Sequence, residues 1–195
     1  MNERKKIYLL VGHPDPNSFS AAMAEAYERG ATAAGFDIRV QSLGMMNFDP
    51  VLHKGYNEIQ PLEADLVQSQ ENIEWCDHWV IVHPLWWGSA PAILKGYFDR
   101  LLLPGFGFKY QDDKAFPEKL LKGRTARILL MSDTPGFWLR WVYGAGWIKT
   151  LKNQILEFCG ISPVKINHFN VLRSSTEERR QRWLSDAEKL GLGGF

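Results

Sequence analysis

Three short apolar runs, each ended by a turn signal, constrain this chain most. They are residues 7–11 before Gly12-His13-Pro14, residues 79–82 before His83-Pro84, and residues 126–131 before Ser132-Asp133-Thr134-Pro135-Gly136. A short run without polar alternation has no face to give to water. It fits a strand covered on both sides, as in a parallel sheet. Two further runs alternate: residues 36–43, with Phe36, Ile38 and Val40 on one face, and residues 164–169, which read as an edge strand.

Between these runs the apolar period changes to that of a helix. One helix starts near Ser18, capped by Ser18 or Asn17, and ends at Gly35. Others are expected over residues 61–76, 89–103 and 138–159, the last irregular around Gly144 and Gly146. A closing helix over 176–190 has Ser174 or Ser175 as its cap and Glu177 and Glu178 in its first turn. Strands alternating with helices predict a parallel sheet covered on both faces, and residues 1–195 read as one domain. The irregular stretch 45–62 reads as a functional lid or interface piece.

Composition limits what such a domain can do. With 45% hydrophobic residues and a net charge of +1, the chain builds a core but has no broad field for nucleic acid or an acidic membrane. Its 8 Trp and 11 Phe exceed what a core alone needs, which points to a lined pocket or a subunit interface. Cys76 and Cys159 sit in apolar surroundings and read as small buried hydrophobes. His13, His53, His78, His83 and His168 lack metal-ligand spacing, so no metal is expected. The N-terminal residues lack a signal-peptide apolar region, and no run approaches the ~18 residues of a membrane span. A cytoplasmic protein is the expectation.

The chemistry gathers in the turns, because ligands of open α/β sheets bind beyond the carboxyl ends of the strands. After the first run, Gly12-His-Pro-Asp-Pro-Asn-Ser-Phe-Ser20 opens a helix. Its free amides, with His13, Asn17, Ser18 and Ser20, suit an anion such as phosphate. An ordinary capped helix start fits the same residues. G-x-G-x-x-G and Gly-Lys-Ser/Thr are both absent, so neither dinucleotide fingerprint nor P-loop is met. After the third run, residues 84–88 carry Trp86 and Trp87, a floor for a planar ligand. A turn buried under a neighbouring loop is the alternative. Residues 132–136 form a third turn on the same edge. The loop 104–110 offers Phe106, Phe108 and Tyr110 as a pocket wall, or as local packing. Lys95 and Asp99 read as a helix-surface pair. Trp138, Arg140, Trp141 and Tyr143 fit a lid or interface as well as they fit plain helix packing.

Residues 83–100, His-Pro-Leu-Trp-Trp-Gly-Ser-Ala-Pro-Ala-Ile-Leu-Lys-Gly-Tyr-Phe-Asp-Arg, followed by Leu-Leu-Leu-Pro-Gly-Phe-Gly-Phe108, resemble the flavodoxin-like NAD(P)H:quinone oxidoreductases. The N-terminal Gly-His-Pro-x-x-x-Ser-Phe-Ser supports the resemblance separately. The resemblance implies a flavodoxin-like fold with five parallel strands in the order 2-1-3-4-5, a tightly bound flavin and a homodimer. It implies hydride transfer from NAD(P)H to quinones or related acceptors by a ping-pong mechanism. By position, His13, Asn17, Ser18, Phe19 and Ser20 match the flavin phosphate and ribityl loop. Pro84, Leu85, Trp86 and Trp87 match the loop against the isoalloxazine, and Thr134 and Gly136 match the third flavin turn. Phe106, Phe108 and Tyr110 match aromatics lining the substrate pocket near the dimer interface. The chain departs from the pattern at Pro135, which replaces a glycine and removes an N–H donor. The Tyr and His that assist hydride transfer in mammalian members have no clear match, and Tyr143 is the nearest candidate. The chain lacks the C-terminal extension of members with a dinucleotide flavin, so FMN is expected over FAD. A flavin-binding regulatory subunit of a potassium-efflux transporter is the alternative role.

Overall fold

The computed structural model describes residues 5–112 and 116–194. Its main sheet holds β1 (Lys6–Val11), β2 (Asp37–Ser42), β3 (His78–Pro84), β6 (Thr125–Ser132) and β7 (Val164–Asn170). The spatial order is β2-β1-β3-β6-β7, with every neighbouring pair parallel. Two strands of two residues each, β4 (Phe108–Lys109) and β5 (Glu118–Lys119), form a separate antiparallel hairpin. Set that hairpin aside and the order is the expected 2-1-3-4-5 of a flavodoxin-like fold.

The unbroken apolar runs exist because both faces of the central strands are covered. Ile7, Leu9 and Val11 of β1, with Val80, Val82, Leu129 and Met131, pack under α1 (Phe19–Ala33) and α7 (Glu177–Gly193). Tyr8 and Leu10, with Trp79, Ile81, Ile128 and Leu130, pack on the opposite side. There they meet α2 (Ala64–Trp75), α3 (Ala92–Leu101) and the helical stretch that begins at Gly146. Each strand therefore sends alternate residues into two different cores. The two covering helices of the first face, α1 and α7, touch backbone to backbone. A Cβ on Gly30 would land on the Glu188 carbonyl, and one on Gly191 on the Tyr27 carbonyl.

Helix ends follow local chemistry. The Ser18 hydroxyl accepts the Ala21 N–H at 3.3 Å and caps α1. Gly35, at φ +78°, closes it, with the Phe36 N–H reaching back to the Ala31 carbonyl. The α7 cap is Thr176, whose side chain accepts from the Arg179 N–H, and not Ser174 or Ser175.

Several boundaries differ from expectation. Pro84 is the last residue of β3, paired with Met131, because a proline needs no N–H at a strand end. The third helix begins at Ala92, since residues 86–89 close a hairpin-like turn instead. The stretch expected as one helix over 138–159 is divided. A short α4 (Gly136–Trp141) stops where Gly144 and Ala145 both take positive φ. The chain then runs through α5 (Gly146–Lys149), a π-helical segment (Thr150–Leu156) and α6 (Glu157–Cys159). The π segment widens the helix, which periodicity does not reveal.

The 45–62 stretch lies on α3. Gly96 admits it, because a Cβ there would meet the Pro50 carbonyl. Arg100, fully buried, donates to the Asp49 and Pro61 carbonyls and forms a 2.9 Å ion pair with Glu63. Burial opposes ionisation of Glu63, but the Asp49 N–H and the Arg100 guanidinium outweigh it and hold the carboxyl below its usual range.

Candidate functional site

Parallel pairing brings three turns to one edge of the sheet. Val11 lies opposite Val82, and the Gly12 N–H donates to the Val82 carbonyl at 2.7 Å. Pro84 lies opposite Met131, and the Leu85 N–H donates to the Met131 carbonyl at 2.7 Å. Gly12 has no room for a side chain, because a Cβ would press on Leu94 and His83.

The first turn is set by Asp15. Its carboxylate accepts the Asn17 N–H at 2.9 Å, and its own N–H donates to His13 Nδ1 at 2.9 Å. The same Nδ1 lies 3.1 Å from the Asp15 carbonyl, so Asp15 occupies this nitrogen and Nε2 is left for a ligand. Asn17 is exposed, Ser18 is half-buried and Ser20 is buried. The Phe19 ring packs toward Trp183 at 6.2 Å, so this residue offers the site its backbone amide and not its ring. No acidic residue occupies the first turn of α1, which leaves the positive helix end uncompensated.

The second turn is a tight one. Trp86 and Ser89 exchange both backbone hydrogen bonds, at 2.8 and 2.9 Å. Trp87 and Gly88 between them have φ of 52° and 74°, the signature of a type I′ turn. A tryptophan in the left-handed region is a strained choice. It leaves the Trp87 ring wholly exposed and Trp86 partly so. His13 meets Trp86 edge to face with centroids 5.2 Å apart, joining the first two turns. Leu85 lies half-buried against the core.

The third turn is held by side chains from its own strand and from β7. Ser132 Oγ donates to the Thr134 carbonyl at 3.0 Å and lies 2.7 Å from His168 Nε2. With the hydroxyl proton used on Thr134, His168 donates from Nε2 and keeps Nδ1 as an acceptor. Burial lowers the His168 pKa, consistent with a neutral ring. Gly136 starts α4 directly beside His168 and Asn170.

Beneath the turns sits His83, fully buried. Its Nδ1 lies 2.9 Å from the Pro84 carbonyl and must carry the proton, since a carbonyl only accepts. Its Nε2 has no hydrogen-bond partner among the described residues, and its ring meets Trp147 edge-on at 6.2 Å. Burial pushes the pKa down to about 4. His83 thus stands between Gly12, Pro84 and Trp147 of α5. His168, Ser132 and Arg100 likewise carry local structure that sequence reasoning passed over. Their roles depend on contacts between distant segments, which spacing does not encode.

The aromatic loop is seated elsewhere. Phe108 is buried against Phe158 at 5.1 Å, and Tyr110 stacks edge-on to Phe108 at 5.2 Å while staying exposed. Together with α3 they line a groove of about 350 Å³. Phe106 is half-buried against the core. Tyr143 is exposed, with its ring 6.4 Å from Trp138. Trp138 and Trp141 are also exposed, so plain helix packing does not describe this segment.

Known proteins are similar to this chain along nearly its whole length. A mouse protein named ribosyldihydronicotinamide dehydrogenase [quinone] is 28% identical, covering 95% of this chain and 90% of its own. An uncharacterized NAD(P)H oxidoreductase of Haemophilus influenzae is 27% identical over 89% of this chain and 87% of its own. Among solved structures, the NAD(P)H:quinone oxidoreductase of Methanothermobacter marburgensis superposes with a TM-score of 0.80. It is 25% identical and covers 97% of this chain and 98% of its own. The sequence profile of the family described as Flavodoxin-like fold matches residues 5–190. The chain belongs to that flavodoxin-like family.

Proposed function

We propose that the chain is a cytoplasmic, flavin-dependent NAD(P)H:quinone oxidoreductase with FMN as its flavin. The observation that carries this reading is the convergence of two unlike donors at one sheet edge: the uncompensated start of α1, and the strained Trp87-Gly88 turn, joined by the 5.2 Å contact of His13 with Trp86. A phosphate suits the first and a flat ring the second, and FMN has one of each. The names of the relatives agree with such chemistry.

The residues fit the group. The Phe19 and Ser20 amides and His13 Nε2 would bind the phosphate. The Trp87 and Gly88 N–H groups, which have no partner among the described residues, would face the polar edge of the ring. At the third turn Pro135 supplies no N–H, so the Gly136 amide is the nearest donor there. The Ser132–His168 pair fixes the Thr134 carbonyl and with it the path of this turn. The chemistry that a bound flavin supplies is two-electron transfer, hydride in from reduced nicotinamide and hydride out to quinone. The balance is NAD(P)H, a proton and a quinone in, NAD(P)+ and hydroquinone out.

A homodimer completes the reading. Trp87, Phe137, Trp141, Val142 and Tyr143 are all exposed in one chain, more apolar surface than a monomer usually leaves to water. A second copy would cover part of it and could bring its aromatic loop to the pocket. The test is to purify the protein, identify bound flavin after denaturation, and follow NADH and NADPH oxidation with and without menadione. A yellow protein that yields FMN and shows parallel double-reciprocal lines supports the shared-site mechanism. Intersecting lines would remove ping-pong kinetics; a colourless protein that FMN cannot reconstitute would remove the flavin.

A further inference from the structure

Beside the third turn, α4, α5 and β7 enclose a cavity of about 570 Å³, within the usual size of a small-molecule site. Gly136 belongs to both the turn and the cavity wall, so an occupant of the cavity adjoins the proposed ring site. The apolar part of the wall is Leu139, Trp141 and Ile148. The charged part has one sign: Arg140 and Lys149 line the cavity, and among the described residues no carboxylate does. Neither cation is ion-paired among the described residues. The Arg140 guanidinium lies 5.9 Å from the Trp141 ring centroid, which braces it at the rim. His168 completes the wall as a neutral ring.

We propose that this cavity takes a flat ligand bearing an anionic group, its ring against Gly136, Leu139, Trp141 and Ile148 and its anion between Arg140 and Lys149. The inference rests on the flavin reading above, because adjacency to Gly136 is what makes the occupant an electron-transfer substrate. Two sources have this chemistry: the phosphates of the reduced nicotinamide nucleotide, and an acidic substituent on the quinone. Each cation alone adds modestly in an open site, and the pair together adds about tenfold in affinity.

Calorimetric titration of the flavin-loaded protein separates the sources. The probes are NADP+ beside phosphate-free nicotinamide riboside, and 1,4-naphthoquinone-2-sulfonate beside 1,4-naphthoquinone. The double variant Arg140→Gln/Lys149→Gln is expected to bind at least one anionic probe about tenfold more weakly, with its uncharged-group counterpart changed less than twofold. Loss confined to NADP+ assigns the anion to the nucleotide, and loss confined to the sulfonate assigns it to the acceptor. Loss on both makes the subsite common to the two half-reactions. The charge-preserving variant Arg140→Lys/Lys149→Arg should retain binding within about twofold. Equal losses for anionic and non-anionic probes, or no loss for any, overturns the proposal. Failure of the flavin reading would look different: a wild-type protein without flavin or without NAD(P)H oxidation.

Discussion

Trp87 combines full exposure with a left-handed backbone at φ 52°. A bulky side chain there costs about 1–3 kcal/mol of backbone strain, and almost no packing returns it within one chain. Contact with a bound ligand or with a second copy is the remaining reason for a large ring at this position. Trp87→Gly should leave the flavin-free protein as stable as before, or more stable by up to about 1 kcal/mol, in urea denaturation. The same variant should release flavin about tenfold faster, followed by flavin fluorescence, because ring stacking of this kind contributes about 1 kcal/mol. Lost stability with unchanged flavin release would make Trp87 a packing residue. His83 makes the complementary case, a polar group kept neutral by burial. Its pKa is held at about 4 and that of His78 at about 3, both below the ordinary 6.5. Above 6.5 neither state takes a proton, and the two histidines leave stability independent of pH. As pH falls from 6.5 toward 4 the unfolded chain binds protons that the folded chain refuses. Stability should drop there by up to about 1.4 kcal/mol per pH unit for each site. His83→Asn, which keeps an N–H for the Pro84 carbonyl, should flatten that slope by about one proton in urea titrations across this window. An unchanged slope would mean that His83 is not the neutral buried ring described.

Among the elements, α3 does more than cover the sheet. Its Lys95–Asp99 pair, 2.6 Å apart on the surface, is the helix-surface pair its spacing suggests. The next residue, Arg100, turns inward and anchors the 45–62 stretch through Asp49, Pro61 and Glu63. Arg100→Met would take the guanidinium from two carbonyls and leave the Glu63 carboxylate with only the Asp49 N–H. A loss of about 2–3 kcal/mol is expected, below the range for a fully buried pair because Glu63 is one-third exposed. Limited proteolysis should then cut within residues 50–60 much faster than in the wild type. Equal cleavage rates would show that the strap is held by Gly96 and apolar contacts alone. The helix after β6 shows the opposite relation between pattern and outcome. Its apolar period continues past Gly144 in sequence, yet consecutive positive φ at Gly144 and Ala145 stops it and opens the cavity beside Gly136.

For the molecule as a whole, cofactor and fold are thermodynamically linked. If the turns bind FMN only in the folded state, FMN at about a hundred times its Kd adds about 2.7 kcal/mol. For a chain of this length the melting temperature should rise by about 5–10 °C in a thermal scan of flavin-stripped protein. No rise at any FMN concentration would remove flavin from the account.

Much of this architecture was legible in the residue order. The runs at 7–11, 79–82 and 126–131, apolar but for Arg127, fit strands covered on both faces, because they offer almost no polar side to water. Their alternation with helices then dictated a parallel sheet, and the turns after them followed as the ligand edge. Capping at Ser18 and termination at Gly35 were equally local, since both act within one turn of the chain. What the order of residues did not contain was contact between segments far apart in it. The His13–Trp86 ring contact, the Ser132–His168 hydrogen bond and the hold of Arg100 on Asp49 and Pro61 join partners tens of residues apart. The same holds for the contact of Phe108 with Phe158 in the groove beside α3. Propensity and period report only on neighbours along the chain. Which side chains share a cavity is decided by how the helices settle on the sheet, and only the packed structure contains that.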